Sequence, residues 1–337
     1  MPRRREGVYQ ENDMKRFFAS ALLAIAAALV SGMAFGSGVV VPGPLVTPAW
    51  LQQHQAEVNV LDVREDTASF TKAPTFTTES GKKTLAGFGG HVPGALLLDF
   101  AKVRTSRMID GREIKWMLPT QADFQALMRS VGVQDGRPTV IVSDGTSAGD
   151  LDMAARVYWS MKVYGDNNLA ILDGGTAAWL AAGYPVSTDA AKPAAGNWVA
   201  KAENRKLFAD STDVAKAAAQ GRQLVDARPL PFYIGLERKP IVLAAGHIKG
   251  AEDFPPEVRA VKRDGSMRFL SRADYATVFK HLGVNSHKPT ITYCNTGHLA
   301  SGAWFVLHEI MQNPGVAVYD GSMYEWTTEK RPVVGLQ

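Results

Sequence analysis

The chain has 337 residues, is 46% hydrophobic and 21% charged, and carries a formal net charge of +4. That fits a globular protein of about two ordinary domains, and with no basic tract in the body nothing calls for nucleic acid. One cysteine, Cys294, excludes an intramolecular disulfide and a thiolate metal cluster, and the seven histidines lack metal-ligand spacing.

Residues 1–36 read as a signal peptide with an N-terminal extension. Met14-Lys15-Arg16 precede an apolar run over 17–30, and Ala34-Phe35-Gly36 supply small residues beyond it. Charged, then apolar, then small is the order of a secretory signal. The run is short for a membrane span, so no stable span is expected after cleavage; an uncleaved anchor is the competing reading. The expected location is the periplasm or the exterior, and a lone cysteine suits an oxidising compartment.

Beyond the signal, one pattern is written twice. Asn59-Val60-Leu61-Asp62-Val63-Arg64 returns as Gln223-Leu224-Val225-Asp226-Ala227-Arg228. Gly90-His91-Val92-Pro93-Gly94-Ala95 returns as Gly246-His247-Ile248-Lys249-Gly250-Ala251. Leu172-Asp173-Gly174-Gly175 with Trp179 returns as Tyr319-Asp320-Gly321-Ser322 with Trp326. The order is the same in both copies, which makes two homologous domains, 45–186 and 201–334, joined by a linker over 187–200 rich in Ala, Pro, Gly and Asn. In the first copy, strands are expected at 58–63, 94–98, 139–143 and 170–172. Helices are expected at 121–131, opened by Thr120 as N-cap, at 152–162, and at 175–182, closed by Gly183. Strands alternating with helices give an α/β fold, in which each domain is a parallel sheet with helices on both faces. Ligands then bind at the carboxyl ends of the strands.

Cys294 stands at such an end. Thr290-Ile291-Thr292-Tyr293 reads as a buried strand, 304–310 shows the pattern of an amphipathic helix, and about six residues, 294–299, read as the turn from strand to helix. So short a turn must curl, pointing successive N–H groups inward as an anion-holding nest, with the helix dipole behind it. A thiol placed there is expected to ionise more easily. The competing reading of a lone cysteine is a small buried hydrophobe. Gly297 suits a loop position with positive φ. Ala300, six residues after the cysteine, excludes the arginine clamp of a cysteine phosphatase. In the first copy Ser143 or Asp144 stands in the cysteine's place, so that copy lacks the nucleophile.

The paired domains, the Asp-x-Arg strand, the Gly-His-x-x-Gly-Ala turn, the Cys-x-x-Gly loop of the second copy and the Asp-Gly…Trp ending resemble a tandem-domain rhodanese over roughly residues 45–333. The resemblance implies a thiosulfate or 3-mercaptopyruvate sulfurtransferase whose Cys294 passes sulfur through a persulfide. Its partners would be a small sulfur donor and a thiol or cyanide acceptor, with a periplasmic protein as a further acceptor. The resemblance likewise implies no metal or organic cofactor. A non-enzymatic sulfur carrier using the same persulfide is the alternative.

The resemblance implies Cys294 as the catalytic residue. Asn295, Thr296, Gly297, His298, Leu299, Ala300 and Arg228 would bind substrate. The loop departs from the basic or Gly-Ser-Gly sequences of the family, and Phe232 stands where members carry a second arginine. His298 either supplies a charge or proton near the sulfur or faces solvent. Arg228 either binds the donor anion or pairs with Asp226, and its twin Arg64 in the inactive copy favours the second role. By the same test His91, His247, Asp62, Asp226, Trp179 and Trp326 read as fold residues. Arg238, Lys239 and Lys249 are cations that nothing in the sequence places at the site.

Overall fold

Thr139–Val142 and Thr290–Tyr293 are buried at every position, as strands covered on both faces must be. The computed structural model describes Met1 and residues 39–79, 82–190 and 193–336, so the expected signal segment lies, but for Met1, outside the described residues. Among the described residues no helix is long and apolar enough to cross a membrane.

Each copy of the repeat builds a five-stranded parallel sheet. In the first the order is Leu45–Val46, Leu169–Leu172, Thr139–Val142, Asn59–Arg64, Leu96–Asp99. In the second it is Phe208–Ala209, Val316–Tyr319, Thr290–Tyr293, Gln223–Asp226, Ala251–Asp253. Because side chains alternate across a strand, neighbours go to different cores. Val60, Val140 and Val142 pack in an outer cluster of the first domain, while Leu61, Val63 and Ile141 face a central one. In the second domain Leu224, Ile291 and Tyr293 face outward, and Val225, Val316 and Val318 face the same central cluster. The two domains therefore share one core.

The helices Ala148–Val163 and His298–Phe305 lie in that shared core. Tyr158 meets Phe305 edge-on at 5.0 Å, and Trp159 and Trp304 are fully buried, their indole N–H groups donating to the carbonyls of Leu207 (2.9 Å) and Val316 (3.0 Å). The expectation of an amphipathic helix after Cys294 is corrected here. Residues 300–307 are all buried, because this segment packs on its own sheet and on the other domain at once. The helix also begins earlier, at His298, leaving four loop residues, and it continues as a π-helix over Val306–Ile310.

Each domain reaches across with a hairpin. Thr105–Ile109 pairs with Arg112–Met117, and Ala260–Arg263 with Ser266–Phe269. Both turn at Asp-Gly pairs with positive φ at both residues, Asp110 (47°) and Gly111 (76°), Asp264 (48°) and Gly265 (80°), the geometry that matches strand twist. After the first hairpin, the Leu118 N–H donates to Asp320 Oδ2 at 2.6 Å; after the second, the Phe269 N–H donates to Asp173 Oδ1 at 3.1 Å. The arms are exchanged, so each covers the strand ends of the other domain.

The segment expected as a linker is tied down on the first domain at both ends. Ser187 exchanges backbone hydrogen bonds with His91 (2.9 Å each), and Trp198 is buried with its indole donating to Asp166 Oδ2 at 3.0 Å. His91 and His247 occupy matching fold positions, each in a backbone bridge and each stacked on an aromatic ring, Phe70 at 3.6 Å and Tyr233 at 3.9 Å. Trp179 and Trp326 match as well, donating to the carbonyls of Pro185 (2.8 Å) and Pro332 (3.0 Å).

Candidate active site

The ladder register decides which first-copy residue matches Cys294. Asp62 pairs with Val142, and Asp226 pairs with Tyr293. The residues just beyond, Ser143 and Cys294, are therefore equivalent. Each carbonyl accepts the same bond, from Thr176 N–H at 2.8 Å and from Met323 N–H at 3.0 Å. The Ser143 hydroxyl is buried and has no partner.

Cys294 is 1% exposed and lies at the floor of a pocket of about 280 Å³. Asn295, Thr296, His298 and Leu299 line it from the loop and helix start, Lys239 and Ile241 from the segment after Gln223–Asp226, and Trp116 from the hairpin of the first domain. The loop is shaped by Ser322, whose hydroxyl accepts from the N–H groups of Cys294 (3.0 Å) and Gly297 (3.1 Å) and donates to the Tyr319 carbonyl (2.8 Å). Ser322 itself has φ of 51°, a backbone region that costs a side-chain-bearing residue about 1–3 kcal/mol. Gly175, its twin, has φ of 57° and supplies no hydroxyl. The expected nest is thus partly satisfied from within. The N–H groups of Asn295 and Thr296 find no acceptor among the described residues, and those opening the helix have none within it. Asn295 is 8% exposed and its Oδ1 has no partner.

Gly297 is a glycine for two reasons: its φ is 76°, and a Cβ there would overlap the Asp320 carboxylate and the Arg156 guanidinium. Those two groups form a buried ion pair between the domains, and Arg156 also donates to the Gly297 carbonyl at 3.2 Å. A second buried pair, Arg259 to Asp152 at 2.7 Å, crosses the interface alongside. Arg104 lies 4.3 Å over the Phe100 ring, and Phe100 in turn meets the His298 ring at 4.7 Å. Burial and then the neighbouring Arg156 pull the Arg104 pKa down to about 10, leaving it a cation at neutral pH; a charge on Cys294 acts the other way. Sequence reasoning missed Arg104, Arg156, Trp116 and Ser322. The signal available was asymmetry within the repeat, since Ser322 replaces Gly175; nothing local marked the other three.

Two of the expected site residues lie off the pocket, and a third is uncharged. Arg228 does not line the pocket. It is fully buried, bonded to Asp226 (2.6 Å) and to the Gly246 carbonyl (2.8 Å), as Arg64 is to Asp62 and the Gly90 carbonyl. Ala300 is fully buried inside the helix, its carbonyl accepting from the Thr292 hydroxyl at 3.0 Å. His298 lines the pocket but is no cation. Burial, and then Arg104, depress its pKa to about 3. Its Nε2 faces the Gly149 carbonyl at 3.3 Å, so Nε2 carries the proton and Nδ1 an acceptor lone pair. Lys239, which nothing in the sequence placed, is in the pocket lining.

A duplicated α/β domain with a lone cysteine at one strand end defines a protein class, and comparison with known proteins agrees. The family model for the rhodanese-like domain matches residues 47–182 and 210–329. The chain is 30% identical to a thiosulfate sulfurtransferase of Cricetulus griseus over 248 residues, 72% of this chain and 79% of that protein. It is 27% identical to the sulfur carrier protein TtuD of Thermus thermophilus over 297 residues, 85% of this chain and 94% of that protein. In fold it resembles the 3-mercaptopyruvate sulfurtransferase SseA of Escherichia coli, with a TM-score of 0.65, 24% identity, and coverage of 83% of this chain and 98% of that one. The chain belongs to the rhodanese family, with two rhodanese-like domains in tandem, and its enzymatic class is that of the sulfurtransferases.

Proposed function

We propose that Cys294 is the nucleophile of an exported sulfurtransferase, taking sulfane sulfur from thiosulfate or 3-mercaptopyruvate and passing it to cyanide or a thiol. The observation that carries this reading is the contrast within the repeat. The same strand end holds a sealed Ser143 in one domain and, in the other, Cys294 beneath a pocket with unpaired loop amides.

With thiosulfate, the Cys294 thiolate attacks the outer sulfur. The sulfur–sulfur bond of thiosulfate breaks, sulfite leaves with the electron pair, and the negative charge moves to the terminal sulfur of the persulfide. With 3-mercaptopyruvate a carbon–sulfur bond breaks instead, and the carbon takes the pair as an enolate that a proton converts to pyruvate. Cyanide then attacks the terminal sulfur, leaves as thiocyanate and regenerates the thiolate. The Asn295 and Thr296 amides and the start of the His298–Phe305 helix are the donors for the terminal sulfur anion. Fixed dipoles aimed at developing charge are a general source of rate acceleration. His298, neutral at the pH of turnover, offers Nδ1 as an acceptor.

Intact mass of the purified chain before and after either donor tests the proposal. One added sulfur is expected, discharged by cyanide and absent in Cys294→Ser, which should unfold at an unchanged denaturant midpoint. Sulfur uptake by the serine variant would refute the mechanism. The same spectrum reads the N-terminus, and a chain that still begins at Met1 or Met14 after export would refute signal cleavage.

A further inference from the structure

We infer that the pocket over Cys294 is built for an organic acceptor thiol carrying an anionic group, with Trp116 against its body and Lys239 on its charge. The inference rests on the persulfide reading above and adds the class of acceptor.

The walls are the first argument. A pocket of about 280 Å³ lies just under the range of organic ligand sites, about 300–1,000 Å³. Trp116, Ile241 and Leu299 give it apolar surface that cyanide has no means to use.

Trp116 is the second. Its φ is 62°, a conformation rarely adopted by a bulky residue. The repeat supplies a control. Met267 stands two residues before the amide bound to Asp173, as Trp116 stands two before the amide bound to Asp320. Met267 is not among the residues of positive φ, and its N–H donates to the Gly145 carbonyl at 2.8 Å. The strain occurs in the hairpin that covers the cysteine, and backbone strain of this kind clusters at functional sites. The Trp116 ring meets Tyr324 edge-on at 5.8 Å, and the Tyr324 N–H is bound to the Asn295 carbonyl at 3.0 Å, which fixes the indole relative to the loop.

Charge is the third. Lys239 is exposed at the rim, and its ammonium has no hydrogen-bond or ion-pair partner among the described residues. Of the residues lining the pocket it is the cation, since His298 is neutral. Arg228, buried on Asp226, is committed elsewhere. In the transfer the acceptor thiolate attacks the outer sulfur of the Cys294 persulfide. The bond between the two persulfide sulfurs breaks, its electron pair returns to Cys294 Sγ, and the acceptor departs as a persulfide.

The test uses the full chain, loaded with sulfur from thiosulfate and checked by mass. It is then discharged in single turnovers by 4-mercaptobenzoate, its uncharged methyl ester, 2-mercaptoethanol and cyanide. The acid should saturate at lower concentration than the ester. Lys239→Gln should erase that advantage, raising the half-saturating concentration of the acid about fivefold, the factor for roughly 1 kcal/mol of a partly exposed ion pair. Trp116→Gly, which relieves the strain because glycine tolerates positive φ, should raise the half-saturating concentrations of both aromatic thiols severalfold more than those of cyanide and 2-mercaptoethanol. Equal saturation by acid and ester in the native chain, or variants that shift all four acceptors alike, would overturn the inference while loading and cyanide discharge left the persulfide reading intact. Failure to load would sink that reading first.

Discussion

Ser322 holds the cysteine loop through one hydroxyl that takes two amides. Ser322→Ala keeps the positive φ and orphans both N–H groups, so it should cost about 2–6 kcal/mol, at roughly 1–3 kcal/mol per buried unpaired group. Ser322→Gly removes the strain as well as the hydroxyl. It should be less destabilised than Ser322→Ala by about 1–3 kcal/mol, the strain it relieves, and should still take up sulfur more slowly. Urea midpoints and single-turnover mass gain separate the two effects; equal midpoints for both variants would contradict this role. His298 gives a prediction in pH. Its folded pKa of about 3 lies below its ordinary value of 6.5, so the unfolded chain binds the proton more readily. The stability this contributes is complete above 6.5 and declines as pH falls from 6.5 toward 3. The His298 ring proton signal should therefore not titrate between about pH 5 and 8, and His298→Gln should flatten the acid side of the stability profile. At this scale Cys294, Gly297 and the loop residues were legible because a strand, a short turn and a helix are local patterns. Ala300 and the donor-binding alternative for Arg228 fall away because spacing does not tell which way a side chain points.

The helix after Cys294 serves two domains. It holds the loop from below and packs Ala303 and Phe305 into the shared core with the Ala148–Val163 helix. Gly302 faces Asp152 across that contact so closely that a Cβ would overlap the carboxylate. Gly302→Ala should thus push Asp152 off Arg259 and cost about 1–3 kcal/mol or more, in the range of overpacked cores, read as a lowered urea midpoint. A neutral result would mean that the helices slide apart freely. Binary pattern could announce this helix but not its burial on both sides, since the second covering surface comes from residues some 150 positions earlier in the chain. The hairpins were missed for a related reason. Their Asp-Gly turns are readable signals, but their destination on the other domain is not.

As a whole the molecule is two domains with one central core and exchanged arms, fastened by Arg156–Asp320 and Arg259–Asp152. Arg156→Leu leaves Asp320 buried without its counter-charge and should cost about 3–5 kcal/mol. Asp320→Asn in the same chain should recover part of it, and strict additivity in that double-mutant cycle would refute the coupling. Unfolding should be a single transition for both domains, because neither buries its central face alone. The sequence by itself determined the α/β class, the duplication and the position of the cysteine at a strand end, because repeats, strand runs and turns are written in neighbouring residues. Only the tertiary structure decided that the first domain supplies Trp116, Arg104 and Arg156 around the cysteine of the second. These contacts join residues far apart in the chain, and what brings them together is burial of the shared core, a collective property that no local pattern encodes.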